Sequence, residues 1–352
     1  MTELADILRA RIAATGPMTV AEYMAECLLH PLHGYYTTRP PFGAEGDFTT
    51  APEISQMFGE LLGLCLAQHW LDTGAPARFT LAELGPGRGT LMADVLRATR
   101  GVPGFHAAME VVLVEASPRL RALQAQALAP YASRWTDDAG LLPEQPLFLL
   151  ANEFFDALPI RQYQRDAAGW CERLVGLHDG ALAFGLSAPQ ARPDLTAAFP
   201  DDPPGTVVET CPQAAAQMDQ VARRLRQHGG LALIIDYGGW RSKGDTLQAL
   251  KDHAFTDPLA EPGHADLTAH VDFAALAARA EGLACRYTTQ GRLLTALGID
   301  ARSARLAERL TGAALENHLA ATRRLTAGAE MGELFKALAV YAEGAPVPPG
   351  FA

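Results

Sequence analysis

Apolar residues recur at helical spacing in the N-terminal part of the chain. The apolar positions of residues 4–12 share one face of a helix, and a Gly-Pro pair at 16–17 ends this first predicted helix. Thr19 and Glu22 stand three residues apart, as the two members of a capping box do, and they predict a second helix through Leu29. The chain is therefore predicted to begin with a helical segment.

A loop rich in Gly and Pro, residues 30–48, separates these helices from a third. Thr50 and Glu53 repeat the capping-box spacing, and apolar residues then follow at helical spacing from Ile54 to Cys65. The sequence predicts a helix that begins after Thr50 and buries one apolar face.

From residue 79 the periodicity changes, because short β-rich runs alternate with helical stretches. This alternation predicts an α/β fold with a parallel sheet, and most of the runs are almost wholly apolar, as strands covered on both faces are. The predicted strands are Phe79–Leu84, Val111–Glu115, Leu147–Ala151 and Leu231–Tyr237, and the predicted helices lie near 89–99, 117–128 and 213–228.

Two stretches interrupt the alternation. Residues 160–187 are predicted to form an antiparallel meander, and residues 188–206, rich in Pro and Asp, a surface loop. Towards the C-terminus the pattern predicts a helix over 270–281, a strand over 283–288, helices to about 327 and a last strand over 335–341.

Charge, cysteine content and hydrophobicity indicate which partners and which compartment the protein is expected to have. The 352 residues carry a formal net charge of −11, which opposes binding to phosphate backbones, so no nucleic-acid partner is expected. Five scattered cysteines without a CxxC pair favour free thiols in a reducing compartment. No apolar run approaches the ~18 residues that span a bilayer, and the acidic start does not resemble a signal or transit peptide. We expect a bacterial cytoplasmic protein without membrane insertion, of an oligomeric state that the sequence does not indicate.

The strongest signal for chemistry is a glycine-rich turn between a predicted strand and a predicted helix. It reads Glu83-Leu-Gly85-Pro-Gly87-Arg-Gly89. Glycines let the backbone turn sharply and approach a ligand, and the helix start offers free N–H groups. Dinucleotide-binding folds use G-x-G-x-x-G, whereas this G-x-G-x-G spacing resembles the S-adenosylmethionine loop of class I methyltransferases. A turn without a ligand and a site for another nucleotide are the alternatives.

Polar residues follow two further predicted strands. Glu115 ends its strand, where a carboxylate can accept both hydroxyls of a ribose; its alternative role is an acid paired with a helix dipole. Another strand leads into Asn152-Glu153-Phe-Phe-Asp156, which combines two carboxylates, an amide and two aromatics. In class I methyltransferases the loop at this place flanks the methyl acceptor, and the alternative is a capped turn with two core phenylalanines.

Several motifs together indicate one family. They are Gly34-Tyr35-Tyr36, Gly46-Asp47-Phe48-Thr49-Thr50-Ala51-Pro52-Glu53-Ile54-Ser55, the turn from Glu83 to Gly89, the segment from Asn152 to Pro159, Asp266-Leu267-Thr268-Ala269-His270-Val271-Asp272-Phe273 and Met331-Gly332-Glu333-Leu334-Phe335-Lys336. On these motifs the chain resembles, along nearly its whole length, the MidA-like (NDUFAF-type) family of class I S-adenosylmethionine-dependent methyltransferases.

The resemblance implies a Rossmann-like domain with a seven-stranded, mostly parallel sheet over 79–352. Insertions, one of them antiparallel β, are implied near 160–206 and 240–330, and the helical segment 1–78 would cover the cofactor site. The implied cofactor is S-adenosyl-L-methionine, with no metal, and the residues implied to bind it are Gly46, Glu83, Gly85, Gly87, Gly89, Glu115 and Asn152. The implied acceptor is an arginine of a protein substrate, since the family includes an arginine methyltransferase that acts on the large quinone-module subunit of respiratory complex I during its assembly.

Three carboxylates are the candidates for catalysis. A carboxylate can hold a guanidinium in a bidentate fork. Such a group is needed for methyl transfer because the guanidinium stays protonated far above neutral pH and a protonated nitrogen is a poor nucleophile. The candidates, each with its structural alternative, are Glu153 (a helix cap), Asp156 (an acid at a helix N-terminus) and Asp47 (a turn residue after Gly46).

Other polar residues and other functions are weaker candidates. His30 and His33 lack further ligands for a metal, and His270 is a possible general base at a predicted helix start. Asp236 and Tyr237 end a strand where a substrate wall could lie. A small-molecule methyltransferase and a non-catalytic methyltransferase-like assembly chaperone remain alternatives, although the intact glycine loop argues against the second.

Overall fold

A computed structural model describes residues 2–38 and 50–352. The helices are α1 (Glu3–Thr15), α2 (Val20–Leu29), α3 (Tyr35–Thr38), α4 (Ala51–Ile54), α5 (Gln56–Asp72), α6 (Thr90–Ala98), α7 (Phe105–Ala108), α8 (Pro118–Ala127), α9 (Pro193–Ala198), α10 (Pro212–His228), α11 (Phe273–Ala278), α12 (Gln290–Ala296), α13 (Ile299–Ala307) and α14 (Gly312–Thr326). The strands are β1 (Met18–Thr19), β2 (Phe79–Leu84), β3 (Met109–Val114), β4 (Ser133–Thr136), β5 (Leu147–Asn152), β6 (Arg161–Asp166), β7 (Gly169–His178), β8 (Ala181–Leu186), β9 (Val207–Thr210), β10 (Gly230–Gly239), β11 (Gln248–Lys251), β12 (Ala254–Thr256), β13 (Asp266–Thr268), β14 (Val271–Asp272), β15 (Leu283–Thr289) and β16 (Phe335–Ala342).

The described residues form two compact units. The first comprises residues up to 38 with 156–214 and 241–270, and the second comprises 50–155, 215–240 and 271–352. This division differs from the predicted one, which placed all of residues 1–78 in one segment, because α4 and α5 belong to the second unit.

Close packing of α5 on α6 explains that difference. At Gly59 an added Cβ would lie 2.7 Å from the Cβ of Asp94, and at Gly63 it would lie 2.9 Å from the Cα of Val95. Only glycine permits two helices to approach so closely. Since α6 follows the first strand of the main sheet, α5 shares the core of that sheet.

The second unit is built on a mostly parallel sheet. Its strands lie in the order β15-β16-β10-β5-β2-β3-β4; β10 to β4 are parallel, and β16 runs antiparallel to both of its neighbours. Every residue of β2 and β5 is buried, as expected for strands covered on both faces. The described sheet has eight strands, whereas the resemblance implied seven. One of the eight, β14, pairs with β10 and is too short to show a periodicity in the sequence.

The order of strands reverses at β2. The chain runs from β2 through β3 to β4 on one side and then returns to place β5 on the other side of β2. Ligands of open α/β sheets bind beyond the carboxyl ends of the strands at such a switch point. The loops that follow β2, β3 and β5 are therefore where a site is expected.

The first unit contains α1, α2 and two small sheets. One sheet has the order β1-β7-β6-β9 with β8 paired to β7, and the other has the order β12-β11-β13. Strands β6, β7 and β8 are the predicted antiparallel meander. The capping box that opens α2 is present, because the Thr19 hydroxyl accepts from the Glu22 amide while the Glu22 carboxylate accepts from the Thr19 amide.

The second predicted capping box is wrong. The Thr50 side chain makes no capping hydrogen bond within the described residues, and the helix breaks at Ser55, whose hydroxyl accepts from the amide of Met57. The capping box does not form because the Glu53 carboxylate accepts a hydrogen bond from Thr90 Oγ1, in α6, at 2.6 Å instead of capping its own helix.

Residues 188–206 also differ from the predicted loop. They include the short helix α9, whose Leu195 packs against Tyr163, Trp170 and Val208. A six-residue helix with a single buried apolar residue gives no periodicity by which it could be predicted. No helix in the described parts of the chain is long and apolar enough to cross a membrane.

Candidate cofactor site and active site

The glycine-rich turn lies between β2 and α6, as predicted. Gly85, Gly87 and Gly89 have φ values of +60°, +52° and +85°, a region that L side chains rarely adopt. A Cβ on Gly85 would lie 2.7 Å from Cδ2 of Phe154, and one on Gly89 would lie 3.3 Å from Cα of Gln124. The turn therefore needs glycine both for its conformation and for the close approach of the loop after β5 and of α8.

Glu83 lies in β2 just before this turn, with only 3% of its surface exposed. Burial, with a smaller contribution from the charge of neighbouring Glu115, raises the pKa of its carboxyl to about 8, against the opposing effect of the Met92 amide. Its Oε2 atom has no hydrogen-bond partner among the described residues. A buried carboxyl with a free oxygen is costly unless a ligand uses it.

We expect Glu83→Gln to stabilise the cofactor-free protein at alkaline pH. Above pH 4.5 the unfolded chain releases this proton, whereas the folded protein retains it to about pH 8, so the native Glu83 lowers stability as pH rises through that window. Gln stays neutral, and the variant should exceed the wild type by about 2–4 kcal/mol at pH 8 but by little at pH 5. Urea unfolding at both pH values measures the difference.

The exposed Glu316 offers a matched control for this change. Glu316→Gln removes one carboxylate from the surface of α14 and shows how much of any difference comes from the loss of a surface charge. A Glu83→Gln variant whose stability relative to the wild type does not change between pH 5 and pH 8 would show that Glu83 ionises normally in the folded protein.

Glu115 follows β3 and is half-buried. Its Oε1 accepts from the amide of Ser117 at 2.8 Å, and its Oε2 accepts from Nε2 of Gln124 at 3.1 Å. Burial raises the pKa of the carboxyl, and these donors oppose that rise. The carboxylate is thus held in place at the carboxyl edge of the sheet.

Gln124, which the sequence analysis did not single out, joins three parts of this region. It is fully buried in α8, its Nε2 also donates to the carbonyl of Gly87 at 2.8 Å, and its Oε1 accepts from Nε1 of Trp135 at 2.7 Å. Gln124 lies four residues after Leu120, on the one face that this largely polar helix buries, and that spacing was the available signal.

Asn152 and Glu153 end β5 beside the glycine turn. Asn152 is 8% exposed, donates from Nδ2 to Oε1 of Glu153 at 2.9 Å, and has no partner for Oδ1 within the part of the chain that the structure describes. The same Glu153 oxygen accepts from the amide of Ala51 at 3.1 Å. Burial raises the pKa of Glu153 to about 7, against the opposing effect of these two donors.

The backbone at Glu153 is strained. Its φ is +50°, which is uncommon for a residue other than glycine and often marks a functional site. Fully buried Asp236 holds the loop, because its Oδ2 accepts from the amides of Phe154 and Phe155 at 3.2 and 3.0 Å. The predicted substrate-wall residue Asp236 therefore fixes the loop that follows β5.

Residues 50–56 contact both ends of this region. Ala51 reaches Glu153, Glu53 accepts from Thr90 at the start of α6, and the Glu53 carboxylate lies 3.7 Å from the guanidinium of Arg88 in the turn. Of the other predicted site residues, Gly46 and Asp47 lie outside the described residues.

Asp156 belongs to the first unit, apart from Glu153 in this division. Its backbone carbonyl accepts from the amide of Ala269 at 3.0 Å, and its charge, with that of Asp266, helps to raise the pKa of Tyr36, which is raised chiefly by burial. In the same unit the amide of His270 donates to Thr246 Oγ1. The described residues contain no group of three His, Cys, Asp or Glu side chains placed to hold a metal ion.

The residues around the switch point fit S-adenosylmethionine. The turn from Gly85 to Gly89 leaves its backbone open to a ligand, Glu115 has the place and charge to accept ribose hydroxyls, and the orphaned oxygens of Glu83 and Asn152 suit the cationic groups of the methionine part.

Comparison with known proteins agrees with this chemistry. A family model described as an S-adenosyl-L-methionine-dependent methyltransferase matches residues 61–290. The chain belongs to this methyltransferase family. It is 39% identical over 324 residues to the human mitochondrial protein arginine methyltransferase NDUFAF7, covering 84% of this chain and 73% of the relative. The Xenopus tropicalis protein of that name is 37% identical over 360 residues, covering 94% and 84%.

Solved structures extend the comparison to the fold. A crystal structure of a Burkholderia thailandensis protein bound to S-adenosyl-homocysteine has a TM-score of 0.84 at 33% identity and covers 99% of this chain and 93% of that one. The α/β fold, the family and S-adenosylmethionine dependence are thereby confirmed, and the protein is a methyltransferase. The names of the curated relatives place them in mitochondria, so they do not support the expected cytoplasmic location.

Proposed function

We propose that this methyltransferase modifies an arginine side chain of a protein. The curated relatives at 37–40% identity are named protein arginine methyltransferases. The observation in this structure that supports the proposal is the Glu153 carboxylate beside the glycine turn. Its Oε1 is occupied by Ala51 and Asn152, so within the described residues Oε2 remains to meet a donor from the substrate.

The chemistry of arginine suits this carboxylate. The bound cofactor supplies an electrophilic methyl group on a sulfonium. The attacking nitrogen must lose a proton, which is costly for a guanidinium alone, and Glu153, with a pKa of about 7, is ionised in part at neutral pH and can take it. Before that step the ionised Glu153 would orient the guanidinium by a charge-assisted hydrogen bond. The net charge of −11 also favours a cationic segment.

We further propose that Asp156 and Asp47 contribute to holding the acceptor and that the helical segment 1–78 helps to cover the cofactor. The contacts of Ala51 with Glu153 and of Glu53 with Thr90 support a role for residues 50–56 of that segment. Protection of residues 50–56 from hydrogen exchange on addition of S-adenosyl-homocysteine would test the covering role, and unchanged exchange would count against it.

The proposed substrate is the large quinone-module subunit of respiratory complex I. We expect mass spectrometry to find a methylated arginine in this subunit from wild-type cells and its absence after deletion of the gene. Re-expression of the wild type should restore the modification, whereas the Glu153→Gln variant should not. Identical arginine methylation with and without the gene would reject this acceptor. Restoration by Glu153→Gln would retain the acceptor but reject the role of Glu153.

A further inference from the structure

We propose that Gln124 is a positioning residue for the cofactor, which orients the Glu115 carboxylate towards the two hydroxyls of the ribose. Binding of the ribose by this pair does not depend on the identity of the methyl acceptor. The side-chain amide of Gln124 is fully buried and is held by hydrogen bonds.

The orientation of that amide is fixed by Trp135. An indole N–H can only donate, so the atom of Gln124 that lies 2.7 Å from Trp135 Nε1 must be the amide oxygen. The amide nitrogen consequently points towards the carbonyl of Gly87 and towards Oε2 of Glu115, at 2.8 and 3.1 Å. Both of its hydrogens are used, and the side chain has a single satisfied arrangement.

Each of the two carboxylate oxygens of Glu115 accepts one hydrogen bond. Oε1 accepts from the amide of Ser117, and Oε2 accepts from Gln124. A carboxylate oxygen can accept two hydrogen bonds, so within the described part of the chain each keeps capacity for one further donor beside these bonds. Two vicinal hydroxyls offer one donor each, and a carboxylate held by one bond on either oxygen is already oriented to receive them.

The same amide links the acid to the glycine turn. Gln124 also donates to the carbonyl of Gly87, and its Cα would lie only 3.3 Å from a Cβ added to Gly89. The same residue therefore holds both the glycine turn and Glu115 in place. Loss of the amide should therefore weaken recognition of the ribose more than recognition of the rest of the ligand.

The test compares two ligands and two variants by calorimetric titration. The ligands are S-adenosyl-homocysteine and its 2′-deoxy analogue, and the variants are Gln124→Met, which keeps the length of the side chain without hydrogen bonds, and Gln126→Met, at an exposed position two residues along the same helix. We expect Gln124→Met to weaken S-adenosyl-homocysteine about 10–100-fold, the range for a lost hydrogen bond to a charged group, and the deoxy analogue several-fold less. Gln126→Met should change neither affinity.

Two outcomes would contradict the proposal. If Gln124→Met lost the same affinity for both ligands, Gln124 would have only a structural role. If the affinity for S-adenosyl-homocysteine did not change, the proposal would be overturned.

A second variant keeps the proposal testable if Gln124→Met does not fold. In Gln124→Glu an oxygen can still accept from Trp135, but the other oxygen faces Glu115 without a proton at high pH. Affinity for S-adenosyl-homocysteine should fall at least tenfold at pH 8 and recover towards pH 5.5, where a shared proton restores the donor. Glu83, Arg121 and, through Arg121, Asp137 also surround Glu115, so the wild type at the same pH values is the reference. A variant that follows the wild-type pH profile would contradict the assignment.

Discussion

Glu153→Gln should lower turnover about 10²–10³-fold and leave the affinity for S-adenosyl-homocysteine within about threefold of the wild type. The size corresponds to the loss of one group that stabilises charge in a transition state, ~3–4 kcal/mol. Gln keeps an oxygen that can accept from Ala51 and Asn152, so the loop after β5 should stay in place. What is lost is the negative charge and the ability to take a proton from the acceptor.

The pH profile separates this role from simple positioning. Since burial raises the Glu153 pKa to about 7, wild-type turnover should rise as pH increases through 7 and the carboxyl ionises, whereas the residual activity of the Gln variant should lack that rise. The exposed Glu343 provides a control, and Glu343→Gln should behave as the wild type. Full activity in Glu153→Gln would remove Glu153 from catalysis and direct attention to Asp156 and Asp47.

The central strands of the main sheet could be predicted from the sequence because burial on both faces leaves almost no polar residue in them. The edge strand β4 is only partly buried and contains Ser133, Arg134 and Thr136, and it was not among the predicted strands. β2 is found at its predicted bounds, and β5 extends one residue beyond its own. The capping box of α2 is equally local, since both of its hydrogen bonds join residues three apart. Thr50 and Glu53 have the same spacing but form no capping box, because the Glu53 carboxylate accepts instead from Thr90, which is distant in sequence.

The glycine turn and the strand-end acid of the candidate site could be predicted from the sequence, but the residues that hold them in place could not. The glycines at 85, 87 and 89 follow from the need for positive φ, and the acid at 115 follows from its place at the end of a strand. The supports of these groups come from elements that meet only in the fold: Gln124 in α8 and Asp236 in β10. The role of Ala51 is carried by its backbone N–H, which no sequence pattern reveals.

Gly87→Val should weaken binding of S-adenosyl-homocysteine by more than about 100-fold, or ~2.7 kcal/mol. The turn needs a bare backbone for two reasons: φ at Gly87 is +52°, and in glycine turns of this kind the ligand approaches where a side chain would stand. Strain alone also costs stability, and Gly312 at the start of α14 controls for it, since its φ is +56° and no atom lies within 4 Å of an added Cβ. Gly312→Val should lose a similar amount of stability in thermal unfolding but bind the ligand as the wild type does. If both variants bound S-adenosyl-homocysteine normally in calorimetric titration, the turn at residues 85–89 would not be the cofactor site.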